Sequence, residues 1–172
     1  GTREKNVKNM VCFSYRLKAA ARYARDLIQR GMLGTIYHVD MQYYQAWGLP
    51  FCQTPLVWRF QKDLTGSGAL GDLGSHALDL ERFVTGQEYT FRITRFGYGR
   101  GNYQTMEIYG SEGAIQYELD HVAPDIDEIS ICIGQANAEA HVFTKLPIPD
   151  KYKVDQMQSF ADIINGKEDG MA

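Results

Sequence analysis

Apolar positions along the chain fall into two rhythms, one of period 3.6 and one of period two, and the switches between them divide it into elements. Between Lys18 and Arg30, Ala20, Tyr23, Ala24, Leu27 and Ile28 fall at i, i+3, i+4, i+7 and i+8. That is the stripe of an amphipathic helix, and Gly31 and Gly34 mark its end. Ahead of it the short apolar run Asn9–Ser14 reads as a strand. From Thr35 to Trp47 the pattern alternates: Val39, Met41, Tyr43 and Trp47 share one face, with His38, Asp40, Gln42 and Tyr44 on the other. An irregular stretch with Pro50, Pro55 and the pair Trp58-Arg59 precedes a glycine-rich helix from about Gly68 to Val84. Short strands follow at Phe91–Phe96, Met106–Tyr109, Ala114–Leu119, Glu128–Ile133 and His141–Leu146. Gly110-Ser-Glu-Gly113 forms a hairpin turn between two of them. A last helix runs from Val154 to Ile164.

Strands segregated from helices in this order predict an α+β fold with a mainly antiparallel open β-sheet and helices on one face. The other face is then bare. Ile129, Ile131 and Ile133 share one side of a strand, with Tyr109, Tyr117 and Phe143 near in sequence. They favour association through that face over a solvated sheet.

Composition narrows the function classes. The 172 residues suffice for one domain, and a net charge of −3 gives no electrostatic reason to expect nucleic acid. No apolar run approaches the ~18 residues that span a bilayer. Cys12, Cys52 and Cys132 are odd in number and far apart, which reads as reduced thiols in a cytoplasmic protein. The chain opens on Gly1 without methionine and ends on Gly170-Met-Ala172, so both ends are expected to be cut.

Candidate chemistry lies in Thr65-Gly-Ser-Gly-Ala-Leu-Gly-Asp-Leu-Gly-Ser-His-Ala-Leu-Asp. At 100° per residue Ala69, Leu70, Leu73, Ala77, Leu80 and Val84 form an apolar arc, and Asp72, His76 and Asp79 a polar stripe beside it. Glycine costs a helix about 1 kcal/mol relative to alanine, so Gly71 and Gly74 require a close approach by another element or a ligand. Asp72, one turn before His76, can fix the tautomer of the ring and leave its other nitrogen to accept a proton, a pairing that suits a general base. A structural histidine bonded to Asp72 or Asp79 is the plainer reading. A divalent-metal site on the stripe is weaker, because one helix seldom supplies three ligands, and no metal is expected. Gly97-Tyr-Gly-Arg-Gly101 departs from G-x-G-x-x-G and reads as a turn.

Trp58-Arg59 followed by Gly66-x-Gly68-Ala-Leu-x-Asp72-Leu-Gly-Ser-His76-x-x-Asp79 resembles the signature helix of the Gfo/Idh/MocA oxidoreductases. Phe13-Ser-Tyr-Arg16, Leu27-Ile-Gln-Arg-Gly31, Leu33-Gly-Thr-Ile36, Met106-Glu-Ile-Tyr-Gly-Ser-Glu-Gly113 and Met157-Gln-Ser-Phe-Ala-Asp-Ile-Ile164 extend the resemblance over most of the chain. It implies the C-terminal domain of such an enzyme. Residues 1–14 would be a remnant of the last strand and crossover of a Rossmann domain, and residues 15–172 the substrate-binding, oligomerising domain, paired through its sheet face into a homodimer or tetramer. It implies an NAD(P)-dependent dehydrogenase acting on a sugar, polyol or similar small hydroxy compound, with NAD or NADP held mainly by a missing N-terminal domain. His76 would be the acid/base, and Asp72 would hold the substrate or orient His76. Tyr15, Arg16, Trp58 and Arg59 would bind substrate, and Asp79 would be structural, as a cap or salt-bridge partner. The chain departs from the family in lacking the G-x-G-x-x-G fingerprint and the Glu-Lys-Pro segment. It has alanine at 19 and 20 where a proline is common, and a short run of strands between Gly86 and Gly97. A non-enzymatic dimerisation or ligand-binding module is the competing reading.

Overall fold

A computed structural model describes residues 4–5, 8–120, 123, 126–133 and 142–167. The first helix, α1 (Ala19–Gln29), places Ala20, Ala21 and Ala24 fully buried on its inner side. Methyl-sized side chains let it lie close to the sheet, and its first turn is capped from across the chain. Asp127 accepts the Ala20 amide at 3.1 Å through one oxygen and the Asp120 amide at 3.2 Å through the other. Burial raises the Asp127 carboxyl above the ordinary range, against the pull of those two amides.

The strands are β1 (Ile36–Gln45), β2 (Thr90–Thr94), β3 (Asn102–Gly110), β4 (Gly113–Leu119), β5 (Glu128–Ile133) and β6 (Thr144–Lys145). They form one sheet in the order β2-β1-β3-β4-β5-β6, antiparallel throughout except that β2 runs parallel to β1. The connection between that parallel pair carries the short helix α2 (Lys62–Thr65) and the long helix α3 (Ser75–Thr85). Register sets the faces. Met41, Met106, Tyr117 and Ile129 stand in one cross-strand row and Val39, Ile108, Ile115 and Ile131 in the next. Both rows are buried under α1 and α3, whose Leu27, Ala77, Leu80 and Val84 complete the core. The expected α+β fold, with helices on one face of a mainly antiparallel sheet, is the fold observed.

Several sequence expectations change. The alternation in β5 is real, but Ile129 and Ile131 point at the helices, only Ile133 is well exposed, and Tyr117 is fully buried. A strand's own pattern does not say which of its faces meets the core; its partners' register does. The open face is polar instead, with rows Asp40–Glu107–Gln116–Ser130 and Gln42–Thr105–Glu118–Glu128. Tyr109 donates to Glu107 at 2.5 Å, which raises its phenol to about 12, and His38 stacks on its ring. The apolar argument for self-association through this face therefore falls.

Asn9–Ser14 pairs with no strand and leads into a 3₁₀ turn, Ser14–Leu17. The last strand is only Thr144–Lys145, and His141 lies outside the described residues. The final helix, α4, is Gln156–Ile164, capped by Asp155 accepting the Gln158 amide at 2.8 Å.

The β3–β4 hairpin turns as predicted and docks on the loop before β1. Leu33 O accepts the Glu112 amide at 3.0 Å, and a Cβ at Gly110 would fall 2.1 Å from that same carbonyl oxygen. Only glycine fits there. Among the described residues no helix is long and apolar enough to cross a membrane.

Candidate active site

The glycine-rich helix does not begin as an α-helix. Leu70–Gly74 is π-helical and runs straight into α3. Such wide turns are uncommon and concentrate at functional sites. The extra residue shifts the phase, so that Leu70, predicted on the apolar arc, is 61% exposed while Leu73, Ala77 and Leu80 are buried. Gly74 supplies the close approach anticipated from the sequence, and another element fills it. A Cβ there would stand 3.4 Å from both Ile93 Cδ1 and Phe91 Cε2 of β2.

The π turn forms one wall of a cleft of about 390 Å³ at the C-terminal end of the parallel pair β1 and β2, the usual place for ligands in parallel sheets. Asp72, Leu73 and His76 come from the helix, Tyr43, Gln45 and Trp47 from β1 and its continuation, and Thr54, Val57 and Arg59 from the loop between. On the β1 side, polar groups form a connected chain. Trp47 Nε1–H donates to Gln45 Oε1 at 2.6 Å, and Gln45 Nε2 donates to the Tyr43 hydroxyl at 3.0 Å and to Asn102 Oδ1 at 3.1 Å. The Tyr43 and Tyr15 hydroxyls are 2.7 Å apart. Burial, reinforced by Tyr15, pushes the Tyr43 phenol well above the ordinary tyrosine range, so it remains a donor at neutral pH.

His76 and Asp72 both line the cleft, but their expected bond is not made. Asp72 Oδ2 accepts from Arg95 at 2.7 Å, and Arg59 Nε lies 3.6 Å from Oδ1. Two guanidinium groups hold the carboxylate that the sequence assigned to the imidazole. His76 is held by rings instead, Phe13 at 5.6 Å and Tyr15 at 5.3 Å, both edge-to-face. Its Nδ1 is buried without a hydrogen-bond partner. An orphaned buried nitrogen is costly, by about 1–3 kcal/mol.

Tyr15 reaches the cleft's edge through Tyr43 and His76. Arg16, predicted beside it, turns away. Its Nε donates to Asp79 Oδ2 at 2.7 Å, a second nitrogen meets Asp79 Oδ1, and the fork lies 5.6 Å from the Phe83 ring. Asp79 is thus a salt-bridge partner, as expected of a structural residue. Trp58 is 54% exposed and does not line the cleft; it lies beneath the Arg59 guanidinium at 4.7 Å. Among the described residues no cluster of His, Cys, Asp and Glu could hold a metal ion. Gly97–Gly101 forms a turn in which two amides are engaged, Gly97 with Gln45 O of β1 and Arg100 with Gly97 O.

Sequence reasoning missed Tyr43, Gln45 and Trp47 as cleft residues, and it missed Arg95 altogether. Alternation pointed Tyr43 and Trp47 to the core side, which is also the cleft side at the end of β1. Arg95 sits in a run of ordinary strand residues and carries no sequence signal beyond being a charge within a predicted strand.

Comparison with known proteins agrees with this fold. Residues 21–91 match the GFO/IDH/MocA C-terminal domain. Levoglucosan dehydrogenase of Pseudarthrobacter phenanthrenivorans is 26% identical over 195 residues, covering 82% of this chain and 49% of that protein. The solved levoglucosan dehydrogenase in complex with NADH and levoglucosan superimposes with a TM-score of 0.79 at 26% identity, over 95% of this chain and 59% of the other. An oxidoreductase domain protein from Kribbella flavida gives a TM-score of 0.68 at 27% identity, over 83% of this chain and 49% of that one. The chain spans about half the length of the curated relative it matches. Fold, signature helix and relatives together make this chain similar to the C-terminal domain of the Gfo/Idh/MocA oxidoreductases.

Proposed function

We propose that this chain is the substrate-binding and acid–base half of a nicotinamide-dependent dehydrogenase acting on a hydroxyl of a small sugar or polyol. The cofactor would be held mainly by a domain outside this sequence. The observation that carries the reading is His76. Its ring lies on the wall of a cleft, fixed by two aromatic edges, with Nδ1 buried and unpartnered. That leaves Nε2 as the nitrogen to take the proton from a reacting hydroxyl. The surroundings suit a carbohydrate. Trp47 and Val57 offer apolar surface, while Gln45, Tyr43, Thr54, Asp72 and Arg59 offer donors and acceptors.

The chain's residues fit the reacting end of a nicotinamide cofactor and not its phosphates. His76 on the cleft wall suits the carbinol through Nε2, whereas the Gly97–Gly101 turn does not line the cleft and two of its amides are already used. A nicotinamide cofactor, when bound, supplies the acceptor for the hydride that leaves the carbinol carbon. The solved relative with NADH and levoglucosan supports both the cofactor type and the substrate class. NAD and NADP are equally compatible with the residues of this chain.

The test is turnover by the natural polypeptide that carries these residues, with levoglucosan and a panel of sugars and polyols, read from nicotinamide absorbance. His76→Asn is expected to lower kcat by about 10²–10⁴-fold. Absence of reduction with every substrate and both cofactors would overturn the reading, and unchanged kcat in His76→Asn would remove His76 from the role.

A further inference from the structure

Arg95 follows the edge strand β2, yet its side chain is only 4% exposed. It reaches three separate segments at once. Its guanidinium donates to Arg59 O at 2.9 Å, to Gly68 O at 3.1 Å and to Asp72 Oδ2 at 2.7 Å. The same group lies 5.2 Å from the Trp47 ring and 5.7 Å from the Phe60 ring, and its own carbonyl accepts the Gly48 amide at 2.9 Å. Every wall of the cleft except His76 is thus tied, directly or through a neighbour, to one planar cation.

We propose that Arg95 is the positioning residue of this site: it draws Asp72 off His76 and fixes that carboxylate, with Trp47, as a preset substrate-binding wall. The inference rests on the reading of the cleft given above. Two physical arguments carry it. A guanidinium buried this deeply is costly unless its donors are used; Arg95 spends both terminal nitrogens on the segments that shape the cleft rather than on the sheet it follows, and leaves Nε buried without a partner. Asp72 stands one helical turn from His76 and is free by spacing to meet it. The contact to a buried, permanently charged guanidinium at 2.7 Å outcompetes a contact to a partly buried imidazole. Because the fork is rigid and planar, it also fixes direction. With Oδ2 bonded to a buried guanidinium nitrogen and Arg59 Nε 3.6 Å from Oδ1, the carboxylate is fixed at both oxygens on the cleft wall.

Lysine cannot reproduce the arrangement, since one ammonium cannot span Arg59 O, Gly68 O and Asp72 together. It does keep a charge opposite Asp72. The test uses the natural polypeptide, levoglucosan with NAD⁺ as the probe reaction, and the variants Arg95→Leu, Arg95→Lys, Asp72→Asn and Arg95→Leu/Asp72→Asn. A misplaced group near the reacting atoms costs on the order of 10²-fold. Arg95→Leu is therefore expected to lose about 10²-fold in kcat/KM, and Arg95→Lys to recover part of that loss. In the double variant the second change costs far less than Asp72→Asn does alone, because Arg95 acts through Asp72.

Fully multiplicative losses would overturn the proposal. So would equal losses in the lysine and leucine variants, which mark a packing role only. Hydrogen exchange at the Trp47 indole N–H needs no substrate and is expected to accelerate in Arg95→Lys. Exchange unchanged in that folded variant counts against the wall being set by the fork. Failure of the wild type to turn over levoglucosan strikes the functional reading instead, and leaves the indole experiment to decide Arg95. If Arg95→Leu does not fold, the lysine variant carries the kinetic and exchange tests together.

Discussion

The ion pair between Arg16 and Asp79 gives a quantitative test of how the site is held. Asp79→Asn preserves volume and removes one charge. The pair is forked, with Nε to Oδ2 at 2.7 Å, and its side chains are 22% and 10% exposed. Exposed pairs contribute roughly 0–1 kcal/mol, whereas breaking a buried one costs about 3–5 kcal/mol. A pair exposed by a tenth to a fifth belongs between these limits, at about 2 kcal/mol. For a chain of this length that lowers Tm by roughly 4–8 °C. Urea unfolding of the wild type, Asp79→Asn, Arg16→Met and the double variant closes a cycle. Methionine keeps apolar contact with Phe83 while removing the charge. A coupling energy of about 2 kcal/mol is expected, and one below about 0.5 kcal/mol would show that the fork is merely a surface pair. The cycle also reaches function. The turn Ser14–Leu17 that carries Arg16 carries Tyr15, whose ring steadies His76.

Glu81 is fully buried and burial raises its carboxyl above the ordinary range, against the Tyr89 amide it accepts. A carboxyl raised on folding contributes stability that is complete below its unfolded pKa and is lost as pH rises through the folded value. Glu81→Gln should therefore gain on the wild type in unfolding free energy as pH rises above about 4, and a pH-independent difference would contradict the sign. Gly110→Ala should destabilise by more than about 2 kcal/mol in chemical denaturation, because its Cβ meets a backbone oxygen that cannot yield. A variant as stable as the wild type would mean that the hairpin can lift off Leu33.

The fold was legible where one element's own period decides its place. The stripe through Ala20, Ala24 and Leu27 located α1, and alternation through Val39 and Met41 located β1 and its buried side. It was not legible where a choice lies between elements. Nothing within Glu128–Ile133 says which face meets a helix, since that depends on the pairing of Tyr117 with Ile129. The site divides the same way. Asp72 and His76 were found because spacing joins them on one helix. Their separation was hidden, because it is imposed by Arg95 from 23 residues away along the chain. The π turn was equally hidden, for one added residue in a helical ladder leaves composition and pattern almost unchanged.

The parallel pairing of β1 with β2 has a consequence for the timescale of the site. β3 and β4 are joined by a two-residue turn and each is paired on both sides, whereas β2, reached from β1 through residues 46–89, is an edge strand of five residues secured on one side only. Closing so long a connection onto so short a strand makes β2 a natural unit of local opening, at a free energy below that of global unfolding. Arg95 travels with it. Each such excursion would withdraw the guanidinium from Asp72 and loosen the cleft while the core beneath α1 stays intact. The lifetime of the binding surface is then a property of the sheet's edge, readable as faster amide exchange in β2 than in β3 and β4.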